Sequence, residues 1–141
     1  MKNKKYTGKL YHSCTIEGFL SLLNSDVSGE LSCSTEESKK LFGREAVVVM
    51  RVENENGRYT PFDMDSGKYY GYDEFILKLN GFEDLRDKIE YIIISDRLFR
   101  VWMHEVQNTD EEEELDVLYE IAEDHGIKFR FAESEFYNVN F

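Results

Sequence analysis

Helical spacing of apolar residues is clearest near the two ends of the chain. Apolar side chains between residues 16 and 23 recur at positions i, i+3, i+4 and i+7, and Thr15 stands where a capping side chain is expected. Near the other end, Thr109 and the acids of residues 110–114 fit a helix amino terminus, and apolar residues from 115 to 122 share one face before Gly126. We therefore predict one early and one late amphipathic helix.

Two shorter helical signals lie between them. Ser34 and Glu37 have the spacing of a capping box, which predicts a helix that begins at Ser34 or just after and ends at Gly43. Residues 82–87 fit a single helical turn.

Extended segments crowd the middle of the sequence. Residues 45–52 are rich in β-branched side chains and precede a turn signal at residues 54–57, so they predict a buried strand. Residues 58–72 contain the only proline and several glycines and aspartates, which predicts a long irregular loop. Further strands are predicted at residues 9–12, 31–33, 72–79, 90–95, 98–104 and 127–131. Because the helices lie early and late without a regular alternation of strand and helix, we predict an α+β fold with a mostly antiparallel sheet.

Composition sets the domain count and the class of partner. The 141 residues, 41% of them hydrophobic, suffice for one core, so we predict a single domain over residues 1–141. The net charge of -12, from 17 basic and 29 acidic residues, opposes direct binding to nucleic acid. The lysines at positions 2, 4, 5 and 9 are expected to be a solvated terminus. An acidic surface that imitates DNA or docks on a basic protein stays open.

Cysteine spacing and hydropathy indicate the compartment. Cys14 and Cys33 show neither a metal-ligand spacing nor a disulfide framework, so we expect no metal site. No apolar run approaches the ~20 residues that a membrane-spanning helix needs. We therefore predict a cytoplasmic protein without membrane insertion.

Two polar residues on predicted strands are candidates for chemistry. His12 follows Tyr11 at a strand end, where its ring is either a satisfied edge histidine or a hydrogen-bonding group for a ribose hydroxyl. Glu74 shares its face of a strand with Ile76, so it points inward if Ile76 faces the core. A carboxylate in that position is either paired structurally or held for a substrate.

The order of these segments resembles the ADP-ribosyltransferase fold over residues 1–95. A strand ends in Tyr11, His12 and Ser13, a helix follows, a second strand carries residues 31–35, and a later strand bears Glu74. The resemblance implies a split, mostly antiparallel sheet with flanking helices, which holds NAD in a cleft between two half-sheets. It implies that Glu74 is the catalytic acid. It further implies an NAD site formed by Tyr11, His12, Ser13, Ser32, Ser34, Thr35 and Phe42.

The resemblance leaves the nicotinamide-stacking ring open and narrows the acceptor. Phe42, Tyr69, Tyr70 and Tyr72 are the candidates for stacking. Arginine-directed members of the family carry an acid two residues before the catalytic glutamate. Because Tyr72 stands there, arginine is disfavoured as the acceptor.

The function that follows is an expectation. The resemblance implies an enzyme, a mono-ADP-ribosyltransferase that uses NAD as substrate and modifies a macromolecule, expected to be a protein. Small members of this family often come from bacteria or phages, which implies a host protein target in the host cytoplasm and an anti-defence role. One rival is a non-enzymatic acidic protein that binds a basic partner through residues 110–114 and the loop of Asp63 and Asp65. Another is a member that binds NAD-like ligands without catalysis.

Overall fold

The computed structural model describes residues 2–24, 28–35, 46–61 and 73–131, which form six strands and four helices. In chain order these are β1 (Lys2–Cys14), α1 (Ile16–Asn24), β2 (Ser28–Thr35), β3 (Ala46–Thr60), β4 (Glu74–Asn80), α2 (Phe82–Lys88), β5 (Ile89–Ile94), α3 (Asp96–Trp102), α4 (Thr109–Asp124) and β6 (Lys128–Phe131). Among these helices, none is long and apolar enough to cross a membrane.

All six strands belong to one sheet in the order β1-β2-β4-β3-β5-β6. The longest ladder joins β1 to β3 and runs antiparallel from Lys2, opposite Tyr59, to Cys14, opposite Ala46. The first half of β3 also pairs with β5 and its last residues pair with β4, again antiparallel. Only the β5–β6 pairing is parallel within the described strands. The α+β class with a mostly antiparallel sheet is therefore confirmed.

Four of the strands form a closed circuit. β2 pairs with β4 along Ser28–Cys33, and its last two residues pair with β1, Thr35 with Leu10 and Ser34 with Tyr11. Since β1 pairs with β3 and β3 with β4, the circuit β1–β3–β4–β2 returns to β1. This closure brings β1, β2 and β4 together, and these three strands carry the candidate residues that the structure describes.

The main core lies on one face of the sheet, here called the inner face. Every helix contributes to it, α1 most visibly through Phe19, and β4 contributes Phe75 and Leu77. The opposite, outer face carries a second apolar cluster, which receives no residue from the four described helices. Its members are Tyr11, Val47, Val49, Tyr91 and Ile93.

Capping hydrogen bonds confirm the predicted early and late helices, α1 and α4, and change the predicted capping residue of α4. Thr15 Oγ1 accepts a hydrogen bond from the Gly18 amide at 3.0 Å, as expected for the start of α1. At α4 the cap is Asn108 rather than Thr109, because Asn108 Oδ1 accepts from the Glu111 amide at 3.1 Å.

The strand predicted at residues 98–104 is wrong, because most of this segment belongs to helix α3. The Ser95 hydroxyl accepts from the Leu98 amide at 3.3 Å and caps the helix. Leu98 and Val101, three residues apart, are the buried positions of this helix and face the main core.

The turn predicted at residues 54–57 is also wrong, because β3 continues to Thr60. Asn54 adopts a left-handed φ of 51°, and the register with β1 shifts between Tyr6 and Gly8, so the turn signal is absorbed as a bulge. Residues 58–60, predicted as loop, are strand; residues 62–72 lie outside the described residues.

The helix predicted from Ser34 includes neither Ser34 nor Thr35. Both belong to β2 and pair with β1. The remainder of that predicted helix, with Phe42, lies outside the described residues.

Candidate active site at the junction of three strands

Ser32 connects His12 on β1 to Glu74 on β4. The Ser32 hydroxyl donates a hydrogen bond to Glu74 Oε2 at 2.7 Å, and the Ser32 carbonyl oxygen lies 2.7 Å from His12 Nδ1. A carbonyl oxygen only accepts, so Nδ1 carries a proton and donates it to this hydrogen bond. Two short contacts therefore join residues that are 20 and 42 positions apart in the sequence.

The place where β1 and β2 part explains the histidine contact. Their pairing ends at Tyr11 opposite Ser34, although both strands continue. Just beyond this last pair, the His12 ring supplies a donor to a β2 carbonyl that the backbone ladder does not reach. A side-chain donor here satisfies a backbone group that would otherwise need water.

Glu74 lies on the outer face together with Ile76, so the condition for an inward carboxylate, that Ile76 faces the core, is not met. Phe75, Leu77 and Leu79 are the buried residues of β4, whereas Glu74 and Ile76 are only partly buried and alternate with them. The carboxylate is therefore accessible. Among the described residues, Ser32 is its hydrogen-bond partner through Oε2, and none bonds Oε1.

Three serine hydroxyls project from the same face as Glu74. Tyr11 pairs with Ser34 and Ser32 pairs with Ile76, so alternation places Ser13, Ser32 and Ser34 on the outer face. The hydroxyls of Ser13 and Ser34 are buried without a hydrogen-bond partner among the described residues. Such groups cost about 1–3 kcal/mol each when unsatisfied, and native proteins contain few of them.

Thr35 and Asp73 form a buried polar pair on the inner face. Each is only 1% exposed, and Asp73 accepts from the Thr35 amide at 2.9 Å and from its hydroxyl at 2.5 Å. These hydrogen bonds join the end of β2 to the residue that precedes β4, close in sequence to Ser32 and Glu74. Thr35 thus lies on the opposite face from the three serines, and its hydroxyl is bound to Asp73.

Asp73 is the residue whose role the sequence reasoning missed. Its signal was present, because Asp73 shares the face of Phe75, Leu77 and Leu79. A carboxylate in an otherwise apolar row is buried and needs hydrogen-bond donors. The donors in the structure are the amide and hydroxyl of Thr35, a residue already among the predicted site residues.

The charge of Glu74 affects the pKa of the neighbouring Cys33 thiol. Burial raises the pKa of Cys33, and the negative charge of Glu74 raises it further. The thiol is therefore protonated at neutral pH and is a poor nucleophile. Cys14 and Cys33 are both buried and form no disulfide with each other. The part of the chain that the structure describes holds no group of three or more metal-ligating His, Cys, Asp or Glu side chains.

The predicted residues are thus distributed in three ways. Ser32 contacts both other candidates, His12 through its backbone carbonyl and Glu74 through its hydroxyl, and the hydroxyls of Ser13 and Ser34, on the face of Glu74, are unsatisfied among the described residues. His12 itself alternates with Tyr11 and Ser13 and is paired with Val48, so it lies on the inner face of the sheet. Tyr11 is 7% exposed and packs in the second apolar cluster. The stacking candidates, Phe42, Tyr69, Tyr70 and Tyr72, lie outside the described residues.

The arrangement is a partly exposed carboxylate oriented by the Ser32 hydroxyl, with two buried serine hydroxyls on the same face of the sheet. It is suited to stabilising positive charge on a ligand that also offers polar groups. Neither a scan against models of protein families nor a search of curated proteins finds a match to this chain.

Proposed function

We propose that this protein is an NAD-dependent mono-ADP-ribosyltransferase that transfers ADP-ribose to a macromolecule. The observation that supports it is the chain of contacts from His12 through Ser32 to Glu74, on three different strands. The sequence resemblance names the same three positions for ribose binding, the nicotinamide border and catalysis.

In the proposed reaction the bond between nicotinamide and ribose breaks, and its electron pair leaves on the nicotinamide nitrogen. Positive charge develops at the anomeric carbon, as in other glycosyl transfers. The Glu74 carboxylate accepts a hydrogen bond from the ribose 2′-hydroxyl and stabilises this charge, while Ser32 holds the carboxylate in place. The acceptor nucleophile then bonds to the anomeric carbon and releases its proton.

The unsatisfied hydroxyls of Ser13 and Ser34 support an amide-bearing ligand. A carboxamide offers a carbonyl acceptor for one hydroxyl and an amino donor for the other. Nicotinamide carries this group. Because both hydroxyls are buried, such a ligand bonds them only after the side chains that cover them move aside, and binding then removes the cost of the partners they lack among the described residues.

The proposed acceptor is a protein in the cytoplasm, and a host protein if the chain is phage-encoded, where an anti-defence role would follow. Arginine is disfavoured as the modified side chain, because Tyr72 stands where arginine-directed members carry an acid.

Turnover of labelled NAD tests the proposal. Purified protein incubated with cell lysate should release nicotinamide and produce labelled bands. Glu74→Gln keeps the side-chain shape but removes the charge, and should lower both signals by roughly 100-fold or more. Glu53→Gln, at an exposed carboxylate of β3, is the matched control and should change neither. Normal turnover in Glu74→Gln would contradict the proposal, and NAD binding without release would identify a non-catalytic member.

A second candidate function is binding to a basic partner without catalysis. It is favoured by helix α4, whose outward positions are acidic and exposed at Asp110, Glu113, Asp116, Glu120, Glu123 and Asp124. Binding through this face would be weakened by salt and abolished by lysine at positions 113, 116 and 120. It would be unaffected by Glu74→Gln, which separates it from the enzyme.

A further inference from the structure

A groove lies on the outer face of the sheet beside Glu74. Its volume is about 390 Å³. Its walls and floor come from β1, β2, β3 and β4, the four strands of the closed circuit. The residues that matter for its chemistry are Asn3, Glu30, Asn56, Arg58, Ile76 and Lys78.

The register of the strands places this groove next to the candidate carboxylate. Ile76, in the groove, is two residues from Glu74 on the same face, and Arg58 is paired directly opposite Ile76. A strand rises ~3.3 Å per residue, so Ile76 is about 7 Å and Lys78 about 13 Å along β4 from Glu74. The groove therefore extends away from the site where a ribose would react.

The groove is basic in a protein that is acidic as a whole. Arg58 and Lys78 are its cations, and Asn3 and Asn56 add amide groups, against the single carboxylate of Glu30. The entire chain has a net charge of -12. Guanidinium, ammonium and amide groups are the donors that bind phosphate oxygens in proteins.

The single acid of the groove is already engaged. Glu30 forms an ion pair with Arg58, and both side chains are about half exposed. Exposed pairs of this kind contribute little free energy, so an incoming anion can compete with Glu30 for the guanidinium. Removing the Glu30 charge should therefore favour an anionic ligand.

We propose that this groove binds the phosphate groups of a nucleotide ligand. The spacing fits a ligand whose ribose is at Glu74, because five bonds of about 1.5 Å separate the anomeric carbon from the 5′-phosphorus, a reach of roughly 6 Å. The phosphate then lies near Arg58 and a second phosphate lies closer to Lys78. Placing the ribose at Glu74 rests on the proposed function, whereas phosphate binding in the groove does not depend on turnover.

Titration calorimetry with ADP and with a short single-stranded oligonucleotide tests this inference. The two probes separate a donor dinucleotide from a nucleic-acid acceptor as the source of the phosphates. The double variant Arg58→Glu and Lys78→Glu should lower the affinity for whichever probe binds the wild type by roughly tenfold or more. Glu30→Gln should tighten it by roughly two- to fivefold. Lys128→Glu, at an exposed position of β6, is the matched control and should leave affinity unchanged.

Each outcome decides the inference. Weakened binding of either probe in the double variant supports it and names the source. Failure of both probes to bind, or equal affinity in the double variant and the wild type, overturns it. The titration is repeated in Glu74→Gln, where retained ADP binding would uphold the groove even if NAD turnover is absent, so the two proposals fail separately.

Discussion

Replacing Asp73 with alanine should be among the most damaging single changes in this chain. The carboxylate accepts two hydrogen bonds from Thr35, at 2.9 Å from the amide and 2.5 Å from the hydroxyl, and both residues are 1% exposed. Alanine leaves both donors buried without this acceptor. At about 1–3 kcal/mol for each donor, the expected loss of unfolding free energy is about 4 kcal/mol.

This loss is a large fraction of the total stability of a typical domain, about 5–15 kcal/mol. At about 3 °C for each kcal/mol in a domain of this size, the melting temperature should fall by roughly 10 °C. Urea unfolding followed by circular dichroism measures the free energy, and a thermal scan measures the melting temperature.

Two further variants test the reasoning behind that number. Asp73→Asn keeps an acceptor for the Thr35 amide and adds a donor for the Thr35 hydroxyl, so it should cost much less than alanine. Thr35→Val removes only the hydroxyl, and its effect should not add to that of Asp73→Ala, because both break the same contact. An Asp73→Ala protein within 1 kcal/mol of the wild type would refute the reasoning.

Three other expectations concern packing and pH. Gly57→Ala should lower the free energy of unfolding, measured with urea, by about 1–3 kcal/mol, because the added methyl group would overlap the buried Phe75 ring. Leu118→Ala in α4 should lower the free energy of unfolding by about 2–5 kcal/mol in the same assay, because Leu118 is fully buried. Val117→Ala, at an exposed neighbour, should change it by less than about 0.5 kcal/mol, and equal effects would contradict the packing of α4. Hydrogen bonds from Arg97 lower the pKa of Glu111 below its ordinary value of 4.5, so their stabilisation is present above that value and is lost as pH falls through the lowered pKa. Glu111→Gln should therefore make acid unfolding shallower below pH 4.5, and an unchanged acid transition would oppose this.

Strong local patterns predicted most elements, and the failures have physical causes. The segment at residues 98–104 is a short apolar run, whose period does not distinguish a strand from a buried helix. The signal at Asn54 was real, since this residue takes a left-handed φ. Whether this signal produced a turn depended on β1. Because β1 pairs with β3 on both sides of the irregularity, the chain forms a bulge and the strand continues.

The sequence singled out His12, Ser32 and Glu74 as candidates but did not give the faces of the sheet on which they lie. In the structure Ser32 contacts His12 through its backbone carbonyl and Glu74 through its hydroxyl, and the assignment of these three residues to a site stays a prediction. The sequence left the face of Glu74 conditional on that of Ile76, and in the structure the opposite row of β4, with three apolar residues, faces the helices. Which face a sheet buries depends on where the helices pack, and that is tertiary information.

The closed circuit of strands has the fewest residue pairs at the seam between β1 and β2, which is where the candidate site lies. β1 and β3 share twelve residue pairs, whereas β1 and β2 share only two, those of Leu10 and Tyr11. Local opening should therefore cost the least free energy at this seam, and amide hydrogens there should exchange before those of the β1–β3 ladder. When the seam opens, His12 separates from the Ser32 carbonyl, so a ligand that contacts both strands binds only the closed form. Such a ligand would stabilise the seam by mass action and slow exchange there first.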